Sequence, residues 1–420
     1  MLDITATGKV SAFLDSFGAA LAAGDVDAVT NMFEDDCYWR DLVTFTWNIK
    51  TMEGKAEIAD MLRHQLAACK PSDWQIAEGE SASEEGGVIT AWISFETAVA
   101  RGYGLIRLRN GKIWTLLTTM VELKGHEESL GFDRPLGAKH GAAKHRPTWL
   151  EEREAEAREL GFSKQPYVVI LGGGQGGIAL GARLRQLGVP TIIIEKNARA
   201  GDSWRNRYKS LCLHDPVWYD HLPFIPFPAH WPVFTPKDKM GDWLEAYVKL
   251  MELNYWASSE VTHASFDAGR KEWTIDVMRD GERLVLKPKH LVFATGSYGP
   301  PREVTLPGAE EFSGVQYHSA RHVSGEAFRG KRCIVVGANS SAHDICADFW
   351  EHEAAEITMI QRTPTTVVRS ETLMDVAFAS LYSEEAVAKG IDTDTADMIF
   401  ASVPFRLMAD LQRPVYAEIA

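Results

Sequence analysis

Cysteine is scarce in this sequence, and its cysteines are too scattered for a shared chemical task. There are five, with no C-x-x-C pair: Cys37, Cys69, Cys212, Cys333 and Cys346. An odd number of isolated cysteines in a long chain argues against a disulfide framework and favours a reducing, cytoplasmic setting. Neither zinc-ligand spacing nor a phosphate-binding P-loop occurs, so no metal site is expected.

The sequence also lacks the segments and charges that membranes and nucleic acids require. Its longest apolar runs have the length of strands, as at residues 167–171, whereas a membrane span needs ~20 residues. Residues 1–5 show no basic stretch before an apolar one, so no signal peptide is expected. The formal net charge of -14 argues against a nucleic-acid partner.

Residues 1–125 predict a small α+β domain. Apolar residues recur at helical spacing at residues 10–21, 26–33 and 58–66. Strand-like runs follow at residues 88–95, 104–108 and 112–117, with Asn110-Gly111 between the last two. This dipeptide accepts the positive φ angles of a type I′ hairpin turn. The domain is therefore expected to place three helices before an antiparallel sheet.

Residues 126–165 predict a linker with a charged helix at residues 149–155, and alternating strands and helices follow it. An apolar strand at residues 167–171 leads into a turn whose glycines include Gly172, Gly174, Gly176 and Gly177. Gly172, Gly174 and Gly177 match the dinucleotide fingerprint. The first permits a tight turn, the second lets backbone approach a pyrophosphate, and the third lets helix pack on strand.

An acid at the end of the next strand completes this first nucleotide module. The strand at residues 191–194 ends in Glu195, which lies 18 residues after Gly177, close to the ~20 residues expected for a ribose-binding acid. A carboxylate there accepts hydrogen bonds from a free 2′-hydroxyl. The first module is therefore predicted to bind FAD.

The same pattern returns 165 residues later as a second nucleotide module. A strand at residues 332–336 leads into Gly337, after which Asn339 replaces the second fingerprint glycine and Ala342 the third. The next strand is followed by Arg362, and a cation there suits a ribose 2′-phosphate. NADPH is therefore the expected second ligand, and a hydride is expected to pass from nicotinamide to flavin. Its predicted contacts are Gly337, Asn339, Ser340, Ser341 and Arg362.

Motifs around the two modules resemble those of the class B flavin-containing monooxygenases. Residues 201–205, Gly-Asp-Ser-Trp-Arg, are similar to the family's Gly-x-x-Trp segment beside the flavin. Residues 291–296 resemble the Ala-Thr-Gly strand that leads from the FAD domain to the NADP domain. Residues 312–319 match the motif F-x-G-x-x-x-H, and residues 211–228 resemble the plant YUCCA type. The resemblance implies cofactor contacts from Ser203, Trp204, Arg205, Thr295 and Gly296.

The resemblance also implies a reaction and a catalytic residue. In this family reduced flavin and O2 form a C4a-hydroperoxide, which inserts one oxygen atom into a small organic substrate. Many members support it with an Asn at the position of His214, where YUCCA-type enzymes also carry His. The substrate class stays open between N- or S-oxygenation and oxidative decarboxylation of an α-keto acid.

Three alternatives have different support in the sequence. A Baeyer–Villiger monooxygenase is weakened because His322 stands where many members carry Trp, Tyr or Phe. A disulfide reductase requires paired cysteines beside the flavin, and the sequence has none. A catalytically silent protein that binds FAD and NADP stays open.

The N-terminal domain resembles the cone-shaped fold of SnoaL-like and nuclear-transport-factor-like proteins. Some relatives use an Asp and a His inside the cone, for which Asp41 and His64 are candidates here. We expect instead a packing or assembly role, with a possible homodimer through this domain, because the domain shows no strong catalytic array.

The predicted fold class is thus α/β, with two nested Rossmann-like dinucleotide-binding domains after a small α+β cone-shaped domain. The predicted boundaries are residues 1–125 for the SnoaL-like domain, 126–165 for the linker, 166–300 for the first part of the FAD-binding domain and 301–420 for the NADP-binding domain. After Arg362 no second Ala-Thr-Gly strand returns to the FAD domain, so a fragment of a longer enzyme is expected, with an unpaired sheet edge and exposed apolar surface.

Overall fold

The computed structural model describes residues 5–137, 140–297, 301–302, 304–365 and 367–419, and the predicted boundary residues Pro300 and Ala420 lie outside them. The chain forms two compact units. One combines Met1–Glu128 with Glu371–Ala420, and the other is Ser129–Ser370. None of the described helices combines the length and apolar character needed to cross a bilayer.

The α-helices of the described residues follow one another in this order: α1 (Ala6–Ala23), α2 (Val26–Asn31), α3 (Gly54–Cys69), α4 (Trp149–Glu159), α5 (Gln175–Gln186), α6 (Asp202–Arg205), α7 (Lys237–Leu250), α8 (Ser340–Glu351), α9 (Ser370–Leu373), α10 (Glu384–Ala388), α11 (Thr393–Ala401) and α12 (Phe405–Ile419). The strands are β1 (Phe33–Leu42), β2 (Ile49–Glu53), β3 (Ser72–Ile76), β4 (Ser83–Glu85), β5 (Val88–Glu96), β6 (Ala100–Arg109), β7 (Lys112–Leu123), β8 (Val168–Leu171), β9 (Thr191–Ile194), β10 (Tyr255–Trp256), β11 (Ser259–Asp267), β12 (Glu272–Arg279), β13 (Glu282–Leu286), β14 (His290–Phe293), β15 (Arg332–Val336) and β16 (Glu356–Ile360).

The N-terminal part of the first compact unit is a sheet packed against α1 to α3. Its strand order is β2-β1-β7-β6-β5-β3, and β4 pairs with β5. The predicted hairpin turn is confirmed, since Asn110 and Gly111 between β6 and β7 have φ angles of 51° and 73°. The helix predicted over residues 26–33 ends at Asn31 instead, and Phe33 begins β1, which runs parallel to β7. The acidic residues that follow Phe33 interrupt the alternation of apolar residues by which a strand is recognised in a sequence.

Aromatic rings fill the space between this sheet and its helices. Trp74 stacks on Phe95 with ring centroids 4.3 Å apart, and Trp39 contacts Phe45 edge to face at 5.0 Å. Phe17 and Phe33 complete the group, and the side chains of Phe17, Phe33 and Trp39 are fully buried. A core packed with rings of this size stabilises the domain through apolar burial. The packing or assembly role of the domain stays a prediction.

Asp41 is buried in this unit, and its carboxylate accepts hydrogen bonds mainly from backbone N–H groups. Its oxygens accept hydrogen bonds from the Thr118 hydroxyl at 2.8 Å and from the backbone N–H groups of Phe45 and Thr46 at 3.0 and 2.8 Å. Asp41 therefore holds the turn between β1 and β2 closed. His64 lies on α3 with its side chain 69% exposed and bonds to the Asp60 carbonyl. The two candidates do not form a catalytic pair.

The C-terminal helix α11 lies on the face of the sheet opposite the aromatic core, where Thr119 contacts Met398. The Arg107 guanidinium donates to the Ser402 carbonyl at 3.4 Å, and Arg406 pairs with Glu53 at 3.1 Å. On this face Leu105 and Leu117 are buried. The predicted boundaries differ from the compact units at this segment, because they place residues 371–420 in the NADP-binding domain. The structure groups these residues with residues 1–128 through contacts that have no local sequence signal.

A homodimer through the N-terminal domain stays a prediction.

The second compact unit contains two parallel βαβ modules. In the first module, residues 166–297, the sheet order is β10-β9-β8-β14 with all pairs parallel, and α5 connects β8 to β9. An antiparallel sheet of β11, β12 and β13 lies between β10 and β14 in the sequence. In the second module, residues 304–365, β15 and β16 are parallel and α8 connects them. The predicted fold class is thus confirmed.

The charged helix expected in the linker is α4, and it packs against the first module. A capping box of Thr148 and Glu151 begins the helix. Glu156 pairs with Arg185 at 2.6 Å and accepts from Asn254 at 2.9 Å, while Trp149 donates to Glu252 at 2.8 Å. This network fixes α4 to α5 and to the end of α7.

The two-stranded sheet of the second module is covered by α8 on one face. Cys333, Val335 and Ile357 pack under α8, whereas Ile334, Val336 and Ile360 on the other face are more than half exposed. Parallel sheets in α/β proteins usually have both faces covered. The apolar core of this module is therefore one-sided within the described residues.

The hydrogen bonds of Asp41 predict different effects for the two cone candidates. Asp41→Ala leaves the Phe45 and Thr46 N–H groups and Thr118 without their acceptor, which should cost about 2–4 kcal/mol. His64→Ala removes an exposed side chain and should change stability by less than about 0.5 kcal/mol. Urea unfolding followed by tryptophan fluorescence measures both, and equal midpoints for the two variants would contradict the structural role of Asp41.

Candidate active site

The glycine turn of the first module is built by close approaches that only glycine permits. Gly172 follows β8 with φ of 110°, and a Cβ there would lie 2.3 Å from the Ala294 carbonyl oxygen. A Cβ on Gly177 would lie 2.0 Å from the Gly172 carbonyl oxygen. Around Gly174 and Gly176 the space is open, with no atom within 4 Å of an added Cβ. The outer glycines therefore set the packing, and Gly174 leaves room for a phosphate at the start of α5.

Glu195 lies at the end of β9 beside this turn and is buried. Its Oε2 accepts the Gly173 N–H at 2.8 Å, and its Oε1 accepts the backbone and side-chain N–H groups of Asn197 at 2.9 and 2.7 Å. Tyr255 donates to the Gly173 carbonyl at 2.9 Å on the other side. The acid thus braces the fingerprint turn, and Oε2 keeps a lone pair for a ribose hydroxyl.

The segment at residues 201–205 forms α6 and places Trp204 beside the turn. The Trp204 indole N–H donates to the Gln175 side chain at 3.4 Å, and Gln175 is the first residue of α5. Ser203 is exposed next to it. These positions agree with a role near the cofactor, and their contact with FAD stays a prediction.

Arg205, the last residue of this segment, contacts protein groups and does not face the glycine turn with a free donor. Its guanidinium bonds to the Ala200 carbonyl at 2.8 Å and to the carboxylates of Asp202, Asp242 and Glu245 at 3.0, 2.8 and 2.9 Å. With its Nε also directed at Asp242, all five N–H donors are used. The structure gives Arg205 the role of bracing α6 against α7, where no donor remains for a nucleotide.

Thr295 and Gly296 complete the edge at which the first-module residues meet. They follow β14, and the Thr295 backbone nitrogen lies 3.2 Å from the position of a Cβ on Gly172. Strands β8, β9 and β14 end at the same edge because they are parallel. Ligands of open α/β sheets bind outside the carboxyl ends of the strands. The open turn, the acid and the helix N-terminus there fit an FAD nucleotide.

The second module offers a similar edge with different residues. Gly337 follows β15 and bonds through its N–H to the Ile360 carbonyl at 3.0 Å. Ala342, which replaces the third glycine, is buried, and a Cβ on Gly337 would contact its methyl group at 3.2 Å. Asn339 precedes α8, is exposed and makes no side-chain capping bond, and Ser340 and Ser341 form the first turn. These polar groups at a helix N-terminus fit a phosphate.

Arg362 lies two residues after β16 at the same edge as Gly337, since β15 and β16 are parallel. Its side chain is exposed. A cation at this point fits a ribose 2′-phosphate, as the sequence predicts. The contact itself stays a prediction.

His214 lies in the irregular segment between α6 and α7. Its side chain is 75% exposed, and its Nε2 is 4.0 Å from an Asp215 carboxylate oxygen. Burial, and next the negative charge of Asp215, raise the pKa of nearby Asp220 to about 7, while His214 and His221 act in the opposite direction. The segment thus carries a carboxyl that changes protonation near neutral pH. The catalytic role of His214 stays a prediction.

Two residues that support the first turn and its acid are not indicated by the sequence motifs. Asn197 donates to Glu195 from two residues further along the chain, through its backbone and side-chain N–H groups. Tyr255 reaches Gly173 from β10, 82 residues away in the sequence. No local signal could have identified that contact.

Two family models match the chain. Residues 169–403, more than half of the 420-residue chain, match the family described as pyridine nucleotide-disulphide oxidoreductase. Residues 11–116 match the SnoaL-like domain, which confirms the resemblance predicted for the N-terminus.

Curated relatives include plant proteins of the YUCCA type. The chain is 34% identical over 199 residues to "Indole-3-pyruvate monooxygenase YUCCA1" of Oryza sativa subsp. japonica. This match covers 47% of this chain and 48% of that protein. It is 33% identical over 207 residues to "Probable indole-3-pyruvate monooxygenase YUCCA9" of Arabidopsis thaliana, covering 49% of each. The chain thus spans about half the length of these relatives, which confirm the resemblance to YUCCA-type monooxygenases.

Solved structures that match part of the chain include a flavin-containing monooxygenase from Stenotrophomonas maltophilia. It is 25% identical, with a TM-score of 0.45, over 54% of this chain and 68% of that chain. The S-allyl-L-cysteine S-oxygenase from Allium sativum is 23% identical, with a TM-score of 0.44, over 48% and 52%.

The contacts of Glu195 predict a graded loss of FAD. Glu195→Ala removes the acceptor for both Gly173 and a ribose hydroxyl, so FAD affinity should fall about ten- to hundredfold. Glu195→Gln keeps one acceptor oxygen and should retain more FAD than Glu195→Ala. Flavin content after desalting measures this order, and full retention of FAD by Glu195→Ala would contradict the assignment.

The exposed position of Arg362 predicts a selective effect on coenzyme use. Arg362→Ala should raise the KM for NADPH about ten- to hundredfold, because a charged hydrogen bond to the 2′-phosphate is lost. The KM for NADH should stay unchanged, and Arg369→Ala, an exposed arginine of the same region, is the matched control. Equal changes for both coenzymes would show that Arg362 is not the selector.

Proposed function

The chain belongs to the pyridine nucleotide-disulphide oxidoreductase family, and we propose that it acts there as an NADPH-dependent flavin monooxygenase. It transfers one oxygen atom of O2 to a small organic substrate, by N- or S-oxygenation or by oxidative decarboxylation of an α-keto acid. The observation that carries the proposal is the pair of glycine turns at the carboxyl ends of two parallel sheets. One has the buried acid Glu195 beside it, and the other has the exposed cation Arg362.

The cysteines argue for oxygenation over disulfide chemistry within this family. Reduction of a disulfide through flavin needs two cysteines that reach each other. All five cysteines are free, and Cys212 is the one exposed thiol among them. Burial raises the pKa of Cys37 to about 11 and that of Cys69 to about 12, which keeps both thiols protonated and unreactive.

The two modules have different roles in the proposed reaction, since the first is proposed to bind FAD and the second NADPH. Bound FAD would supply the redox chemistry of hydride acceptance and reaction with O2. The α5 N-terminus and Glu195 would hold its nucleotide end, and the first turn of α8 with Arg362 would hold NADPH. Trp204 links α6 to the first residue of α5 through its hydrogen bond to Gln175.

The names of the relatives suggest the first substrates to test. Both are called indole-3-pyruvate monooxygenases, so an α-keto acid with an aromatic group is the first candidate for this chain. Thioethers and tertiary amines represent the S- and N-oxygenation classes.

Oxygen uptake with product analysis tests the proposal. The full chain, reconstituted with FAD and supplied with NADPH, should consume O2 and yield an oxygenated or decarboxylated product from at least one of the three substrate classes. NADPH oxidation with only H2O2 as product, across all three classes, would contradict monooxygenation. Binding of FAD and NADPH without any NADPH oxidation would favour the catalytically silent protein.

The family position of His214 predicts a specific defect in coupling. If His214 supports the oxygenating form of the flavin, His214→Ala should leave NADPH consumption intact while H2O2 replaces the oxygenated product. His230→Ala, an exposed histidine of the same irregular segment, is the control and should stay coupled. The ratio of product to NADPH consumed measures the effect, and wild-type coupling in His214→Ala would remove the assignment.

A further inference from the structure

One short segment of the first module, Tyr208 and Lys209, contacts the second module directly. The Tyr208 hydroxyl donates to Asp344 Oδ2 on α8 at 2.5 Å. The Lys209 backbone N–H donates to the Val323 carbonyl at 2.9 Å, and its ammonium pairs with Glu326 at 3.1 Å. Both modules belong to the same compact unit. We call these three contacts the inter-module clamp.

The Tyr208 contact is the strong member of the clamp. Tyr208 is 3% exposed, and a hydrogen bond from a hydroxyl to a carboxylate is about twice as strong as one between neutral groups. Burial, followed by the hydrogen bond to Asp344, raises the pKa of Tyr208, so its hydroxyl stays a donor at physiological pH. The Lys209–Glu326 pair is about 60% exposed on both sides and contributes little.

The loop at residues 322–326 is itself fixed to α8. His322 Nε2 lies 2.6 Å from Asp348 Oδ2, and both side chains are buried. The Tyr317 hydroxyl meets His322 Nδ1 at 3.0 Å. Gly325 approaches the same turn of α8 so closely that a Cβ would lie 2.5 Å from the Asp348 carbonyl oxygen. These contacts attach the loop to α8, so the clamp holds α8 both directly and through this loop.

The other side of the clamp is equally well fixed. Tyr208 comes three residues after Arg205, whose guanidinium ties α6 to the carboxylates of α7. The clamp thus connects the Gly-x-x-Trp segment of the first module to the helix whose first turn is the predicted phosphate site of the second. Asp344 lies one turn after Ser340 in that helix.

We propose that Tyr208 and Asp344 are positioning residues that hold the two modules in the orientation in which a hydride passes from nicotinamide to flavin. The inference rests on the proposed function, because the orientation of the modules matters only when both nucleotides react with each other. Neither residue belongs to either glycine fingerprint. Their loss should therefore slow the transfer without removing FAD.

Tyr208→Phe and Asp344→Ala are the informative variants, with Tyr247→Phe as the matched control. Tyr247 is also buried, and its hydroxyl bonds to the Pro223 carbonyl at 2.5 Å within the first module. Asp344→Asn keeps an acceptor for Tyr208 and serves as the conservative variant. The measurements are FAD content, the anaerobic rate of flavin reduction at saturating NADPH, the KM for NADPH, and hydrogen exchange of residues 319–329.

Tyr208→Phe and Asp344→Ala should each slow flavin reduction about tenfold with FAD content unchanged. The double variant should be no slower than either single variant, because both remove the same bond. Asp344→Asn should recover most of the rate, and Tyr247→Phe should keep it. Exchange at residues 319–329 should speed up in Tyr208→Phe and not in Tyr247→Phe.

The proposal is overturned if Tyr208→Phe and Asp344→Ala reduce flavin at the parent rate, or if their effects add in the double variant. If Tyr208→Phe does not fold, the flavin-reduction rates of Asp344→Ala and Asp344→Asn test the proposal instead. Equal rates in these two variants and the parent chain would then overturn it. If NADPH fails to reduce the FAD of the parent chain, the proposed function fails. Hydrogen exchange then decides separately whether the clamp holds the modules: unchanged exchange in Tyr208→Phe would overturn it.

Discussion

The candidate site depends on one steric constraint, the absence of a side chain at Gly172 and Gly177. A methyl group at either position would lie within 2.3 Å of a backbone carbonyl oxygen. Glycine therefore permits α5 to pack on β8 and β14 to lie beside the turn. This approach brings the Gly173 N–H within 2.8 Å of Glu195 and places Thr295 at the same edge. The second module reaches a similar geometry with Ala342, because its turn admits one buried methyl group.

The two compact units carry different kinds of polar group. In the first unit Asp41 uses its carboxylate on backbone N–H groups and a threonine, above a core filled by aromatic rings. In the second unit polar groups at the carboxyl ends of the strands stay open, as at Gly174 and Asn339. Satisfied groups stabilise a fold, whereas open donors at a helix N-terminus are available to a phosphate. We therefore place the proposed chemistry in the second unit.

The parts that sequence could predict are those fixed by local rules. The two fingerprints, the acid after β9 and the Asn110-Gly111 turn each depend on a few neighbouring residues, and the structure has the strands and helices that they require. Contacts between distant segments could not be predicted. Tyr255 on Gly173, Tyr208 on Asp344 and Arg107 on Ser402 join residues 82 to 295 positions apart. Arg205 fits the family motif, yet its donors are used by carboxylates of α7 that no local pattern indicates.

Under the proposed function, one chain holds a flavin and a nicotinamide nucleotide close enough for hydride transfer. Anaerobic titration of the FAD-reconstituted full chain with NADPH tests it most directly, because the flavin absorbance reports the transfer without O2 or substrate. About one equivalent of NADPH should bleach the flavin of each chain, and NADH should be far less effective. A chain that binds no FAD, or whose bound FAD stays oxidised in excess NADPH, would contradict the account.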